Sequence, residues 1–145
     1  MLKKIEDLQI TFLSHISKKA HIWLKYSFAI IFVWYGALKV HGTSPVQSLV
    51  ENSTNWLGIN NFSFYLGLWE ILLGVCFLFK KTLKLGIFML FLQFPGTFFP
   101  LFLDPQDCFN HFPFGLTLQG QYIFKNIILI FAALVIVGET VKNHE

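Results

Sequence analysis

The chain has no arginine. Its 11 basic residues are all lysine, against 8 carboxylates, and charged residues make up only 13% of the 145 positions. A soluble domain keeps roughly a quarter to a third of its surface charged. So small a share cannot cover a chain that is 54% hydrophobic, and a membrane protein is the class this composition points to. The net charge of +3 gives no footprint for a nucleic-acid partner, because membrane topology explains the lysine positions better. Cysteine is scarce as well. Cys76 and Cys108 form no C-x-x-C, which disfavours a thiol–disulfide relay. The two are expected on different levels of the molecule, beyond the roughly 7 Å between Cα atoms that a disulfide tolerates. Nucleotide loop, nucleophile–base pair, haem motif and cysteine-rich cluster are all missing. No complete catalytic apparatus is present.

Phenylalanine, by contrast, occurs 18 times, and the apolar residues gather in four runs. A spanning helix needs about 20 mostly apolar residues. The runs predict helices at about 21–40, 62–80, 84–103 and 120–139, inside one transmembrane domain over 21–139. Lysine sets the orientation. Lys3, Lys4, Lys18 and Lys19 precede the first run, Lys80, Lys81 and Lys84 fill the tight link between runs two and three, and Lys142 follows run four. The segments 41–61 and 104–120 contain no lysine at all. The positive-inside rule then places both termini and the short link in the cytoplasm. Residues 1–20 lack the apolar core of a secretory signal. They read instead as an amphipathic segment on the cytoplasmic surface, with Ile5, Leu8, Phe12 and Ile16 on one face; residues 140–145 form a cytoplasmic tail. In the first outer loop, Ser44 as N-cap with Pro45 at the first helical position predicts a short helix on the outer surface. In run three, Pro95 and Pro100 predict a kink or break, because proline removes a backbone donor and crowds the preceding turn.

The order and spacing of four segments resemble the DoxX-like family of bacterial membrane proteins. These are Trp34-Tyr35-Gly36-Ala37-Leu38-Lys39 continuing through Ser44-Pro45 and Leu49-Val50; Gly67-Leu68-Trp69-Glu70 with Gly74; Leu92-Gln93-Phe94-Pro95-Gly96-Thr97; and Gln119-Gly120-Gln121-Tyr122-Ile123-Phe124-Lys125-Asn126. The resemblance implies an all-α, integral membrane four-helix bundle. It also implies a place among membrane redox and redox-stress systems, where relatives include the small subunit of a thiosulfate:quinone oxidoreductase. It carries over no agreed catalytic residues.

The polar residues inside the apolar runs therefore have to be read on their physics. Glu70 is the one charge in Phe62–Phe79. A carboxylate at such depth costs at least about 2.5 kcal/mol and calls for a partner or a purpose. Lys39, Lys125 and the neutral Gln93 are the candidates, with Trp34 and Trp69 beside the charged motifs. Lys39 leans toward the level of Glu70, since helical side chains tilt toward their N-terminus, while Lys125 starts closer in depth but leans away, so either lysine is a candidate partner. Gly67, Glu70 and Gly74 share a face, and glycine admits a close neighbouring helix. Three readings stay open: an ion pair that fixes helix register, a pocket for a quinone head group, small anion or proton, and snorkelling of Lys39 to the interface. In the second outer loop Asp107, Cys108 and His111, with Asp104 and His41 nearby, are a weak metal-ligand set for zinc or copper; the alternative is a polar loop followed by Phe109, Phe112 and Phe114 at the interface.

The reading is a non-catalytic or quinone-contacting membrane subunit of a redox or stress-response system. A small transporter or proton-coupled carrier built on Glu70 is the first alternative, and a membrane assembly or scaffold protein the second. The partners it implies are the bilayer, a membrane or peripheral redox protein and further copies of the chain; quinone is the one cofactor it brings into view.

Overall fold

The computed structural model describes residues 2–142, and the side chains of 9–17 and 19–140. Ile5, Leu8, Lys3, Lys4, Lys18, Lys142 and His144 lie outside the described side chains. Helix dominates. The long elements are α1 (Leu2–Val40), α3 (Phe62–Leu78), α4 (Leu83–Phe98) and α8 (Asn126–Lys142). Shorter pieces join them: α2 (Gln47–Thr54) with a 3-10 turn at Asn55–Leu57, α5 (Pro100–Leu103), α6 (Pro105–Cys108), a two-strand hairpin of β1 (Phe109–His111) and β2 (Gly115–Leu116), and α7 (Leu118–Phe124).

Three helical stretches are long and apolar enough to cross a membrane: Lys19–Val40, Leu83–Leu103 and Leu118–Thr140. A fourth is added if α2 and α3, bent by 108° to one another, count as one span. The 17 residues of α3 rise about 25 Å, at the short end for a bilayer. Asn61, in the left-handed region, starts α3, and the extended Phe79 ends it. The large apolar side chains that face outward, among them Ile30, Phe88, Leu92, Ile128 and Phe131, would be costly in water.

The long helices neighbour one another in a ring: α1 on α3, α3 on α4, α4 on α8 and α8 on α1. The α1–α3 contact is the closest, and its cause is local. A Cβ on Gly67 would fall 2.7 Å from the Gly36 carbonyl oxygen, and one on Gly36 would fall 2.5 Å from that of Gly67. Backbone meets backbone there, as small residues permit. The tight link from α3 to α4 is closed by Thr82, whose hydroxyl donates to the Cys76 carbonyl at 2.9 Å.

Several local expectations need correction. The amphipathic segment and the first span are one helix; nothing between Leu2 and Val40 breaks the pattern, since the stretch has neither proline nor an unsupported glycine. Ser44 does not cap α2. Its carbonyl accepts from Gln47 N in a turn, and the helix starts at Gln47 with Val46 in the capping position and no side-chain cap. Pro95 lies inside α4 without ending it; the interruption is confined to Phe99, and Pro100 opens α5 at a position where its missing N–H costs no helical bond. The fourth run starts earlier than 120, because Thr117 caps α7 by accepting from Gly120 N. That run is also interrupted, at Lys125. The second loop holds a hairpin: the Thr117 hydroxyl donates to the Asp107 carbonyl at 2.6 Å, and Thr117 N donates to the Cys108 carbonyl at 3.0 Å.

Two ends of the molecule can be named from this arrangement. The link end carries the turn between α3 and α4. The loop end carries α2, α5, α6 and the hairpin.

Candidate functional site

Near the loop end, α1, α3 and α4 each supply one polar side chain to a common point. Lys39 Nζ donates to Glu70 Oε2 at 2.6 Å, an ion pair in which both side chains are 8% exposed. Gln93 Nε2 donates to the other oxygen, Glu70 Oε1, at 3.0 Å. Both carboxylate oxygens thus accept a bond, and the glycines of the α1–α3 contact explain how: Gly67 lies against the Lys39 Cβ and brings the lysine over the next turn of α3. The chain has spent its two cheapest partners on the one charge that needed them. Gln93 Oε1 is buried and has no partner among the described residues. An unmet buried acceptor costs about 1–3 kcal/mol, so it is an exception that marks this spot.

Lys125 does not reach Glu70. It donates to the Tyr35 hydroxyl at 3.3 Å, and its ammonium lies 4.1 Å from the centre of the Tyr122 ring and 5.1 Å from that of Tyr35. Lys39 does not snorkel either; it is 7% exposed.

All four of these side chains border a cavity of about 760 Å³. Its floor is the Lys39–Glu70–Gln93 group. Its walls come from α1, α3, α4, α7 and α8, and α2 with the 3-10 turn borders it at the loop end through Leu49, Val50, Trp56 and Leu57. The sharp bend between α2 and α3 is held by the Ser63 hydroxyl, which donates to Gln47 Oε1 at 3.0 Å, while Gln47 Nε2 donates to Glu51 at 2.9 Å. Trp69 forms part of the wall. Trp34 does not: it is 64% exposed on the outside of α1. The reason is helical phase. Gly36 faces α3, and a residue two positions earlier points about 200° away.

Tyr35, Tyr122 and Asn126 border the cavity and were not singled out in the sequence. Tyr122 had a signal: it stands three residues before Lys125, a spacing that puts an aromatic ring beside a cation on one helix face. Tyr35 meets Lys125 across 90 positions of sequence, and no local pattern announces that. Pro95 and Pro100 behave differently from one another. Pro100 borders the cavity and is buried, while Pro95 is exposed and does not border it.

The second loop brings no ligand set together. Among the described residues no three His, Cys, Asp or Glu side chains converge. Cys108 is fully buried against Leu49 and Ile123, with Phe98, Leu101 and Phe109 around them, while Asp107, His111 and His41 are exposed. Burial pushes the Cys108 thiol above its ordinary range, and the charges of Asp107 and Asp104 add to the effect. Cys76 is free and buried in the separate core at the link end.

No protein-family model, characterised protein or solved structure matches the chain.

Proposed function

We propose that this chain is an integral membrane four-helix bundle of the DoxX kind in a bacterial inner membrane, with both ends cytoplasmic, and that it serves as a quinone-contacting, non-catalytic subunit of a redox or stress-response system. One observation carries the reading: a buried Lys39–Glu70–Gln93 group forms the floor of an apolar cavity of about 760 Å³. Ionisable residues inside apolar spans are expensive and mark functional sites by default. Small-molecule sites are concave and mostly apolar, with a few converging polar groups, and hold volumes of roughly 300–1,000 Å³. A quinone ring suits such a place. Its carbonyls accept from ammonium and amide donors, and Trp69, Phe94 and Tyr122 offer apolar and aromatic wall.

A short-chain quinone analogue is expected to raise the melting temperature of the purified protein in proportion to occupancy. The shift should shrink in Gln93→Leu. Absence of any shift with quinones and small anions alike would reduce the floor group to an ion pair that fixes helix register. Reporters fused after Lys81 should read cytoplasmic, and those placed in 46–60 or 106–117 should read outside; a cytoplasmic signal from either outer segment would overturn the topology.

A further inference from the structure

Charge is unbalanced around the cavity. Lys39 is neutralised by Glu70, and Gln93 binds the same carboxylate. Lys125 has no carboxylate within ion-pair reach among the described residues. Two tyrosine rings hold its ammonium instead, at 4.1 and 5.1 Å. Aromatic faces favour a cation without cancelling its charge. An ammonium has three donors, and Lys125 uses one, toward Tyr35 Oη. Two lysines against Glu70 leave the wall with one net positive charge beside the apolar surface of Trp56, Leu57, Tyr65 and Leu66.

We infer that Lys125, Tyr35 and Tyr122 form a recognition subsite for the carboxylate or phosphate head of a single-chain amphiphile, whose hydrocarbon body lies along this apolar wall. The inference rests on the cavity being a ligand site, as proposed above, and moves the ligand's charged anchor from Glu70 to Lys125. A negative head at Lys39 would have to displace an ion pair of 2.6 Å. At Lys125 it meets free donors and breaks no existing charge pair. In surroundings of low dielectric the attraction is larger than in water, and an unpaired cation in an apolar span has most to gain from it. A cavity of about 760 Å³ is far more than an inorganic anion fills, so the head needs a body.

The test uses the full chain in nanodiscs of zwitterionic lipid and reads saturable quenching of tryptophan fluorescence, since Trp56 and Trp69 stand in the wall. The probes are a terminally brominated dodecanoate, the matching dodecyl phosphate and the neutral alcohol of the same length. Acetate and inorganic phosphate supply the heads alone, as competitors, and a short-chain quinone serves as reference. Both charged amphiphiles should bind at least about tenfold more tightly than the alcohol. Lys125→Met should remove that preference while leaving the affinity for the alcohol, which certifies the fold, and Lys125→Arg should keep it. The tighter of the two charged probes tells a fatty-acid carboxylate from a phosphate lipid as the source. Equal affinity for charged and neutral probes, or an anion preference that survives Lys125→Met, overturns the subsite. Competition by acetate or inorganic phosphate as strong as by the amphiphiles overturns the hydrocarbon body. Quinone binding without any anion preference sinks this inference and leaves the ligand site standing; no binding by any probe sinks both.

Discussion

The two ends of the helix ring are built on different terms. At the link end the interior is apolar and dense: Phe28, Leu73, Phe77 and Ala133 are all but fully buried, and the Phe28 and Phe77 rings stack at 5.2 Å. At the loop end α1 and α3 still meet backbone to backbone at Gly36 and Gly67, but a cavity opens between them and the other helices, and an ion pair and an amide link α1, α3 and α4 beside it. One end gains stability from packing, where every displaced methylene is felt. The other gains it from pairing, where what matters is that no charge is left alone. Position along the helices, rather than a change of element, separates the two modes. On α3 the switch takes place between Glu70 and Leu73, within a single turn.

The sharpest way to break this comparison is to strand a charge. Lys39→Met or Glu70→Leu alone should cost about 3–5 kcal/mol, because each leaves its partner buried and unpaired. The double variant should be clearly milder than the sum. Equilibrium unfolding in mixed micelles measures all three, and strict additivity would mean that the two residues are not coupled.

At the link end Phe77→Ala should cost about 3 kcal/mol through the cavity it opens. It should leave any rise in melting temperature produced by the proposed ligands unchanged, since Phe77 lies outside the cavity; a lost rise would show that the two ends are not independent. Between them, Gly36→Ala should cost about 1–3 kcal/mol by pushing α3 away, and should weaken the Lys39–Glu70 pair as well. If it proves neutral in the same unfolding assay, the close approach at Gly67 is not what positions Lys39.

Lys125→Met should change stability by less than about 1 kcal/mol, as expected for a cation held by aromatic rings, while altering ligand preference. A stability loss as large as that of Lys39→Met would make Lys125 a structural residue. The smallest effect concerns Cys108. The thiolate is the reactive form, and a raised pKa leaves less of it at neutral pH than an ordinary cysteine has. In a Cys76→Ala background, maleimide labelling should therefore be slow at pH 7 and accelerate only above the usual thiol range of about 8.5. Fast labelling at neutral pH would show that the loop end opens readily.

The sequence on its own determined a great deal here, because helix formation and apolar length are local properties. Runs of mostly apolar residues give helices wherever about 20 of them follow one another, and three such stretches, with a fourth in the bent pair, are found where the runs lie. It also isolated four polar residues that border one cavity, since Glu70, Lys39, Gln93 and Lys125 stand out in a chain so poor in charge. Other features depended on how the helices rotate about their axes and approach one another, which no short stretch encodes. Tilt and depth along the helices left Lys39 and Lys125 both open as partners of Glu70, and the backbone contact of Gly36 and Gly67 is what brings Lys39 across. Phase around α1 turned Trp34 outward and left Tyr35 to meet Lys125. The cavity, too, is tertiary: α2, bent 108° from α3, and the long helices each supply part of its lining. Spans follow from what each residue is. The site follows from which faces meet, and that is fixed by contacts between residues tens of positions apart.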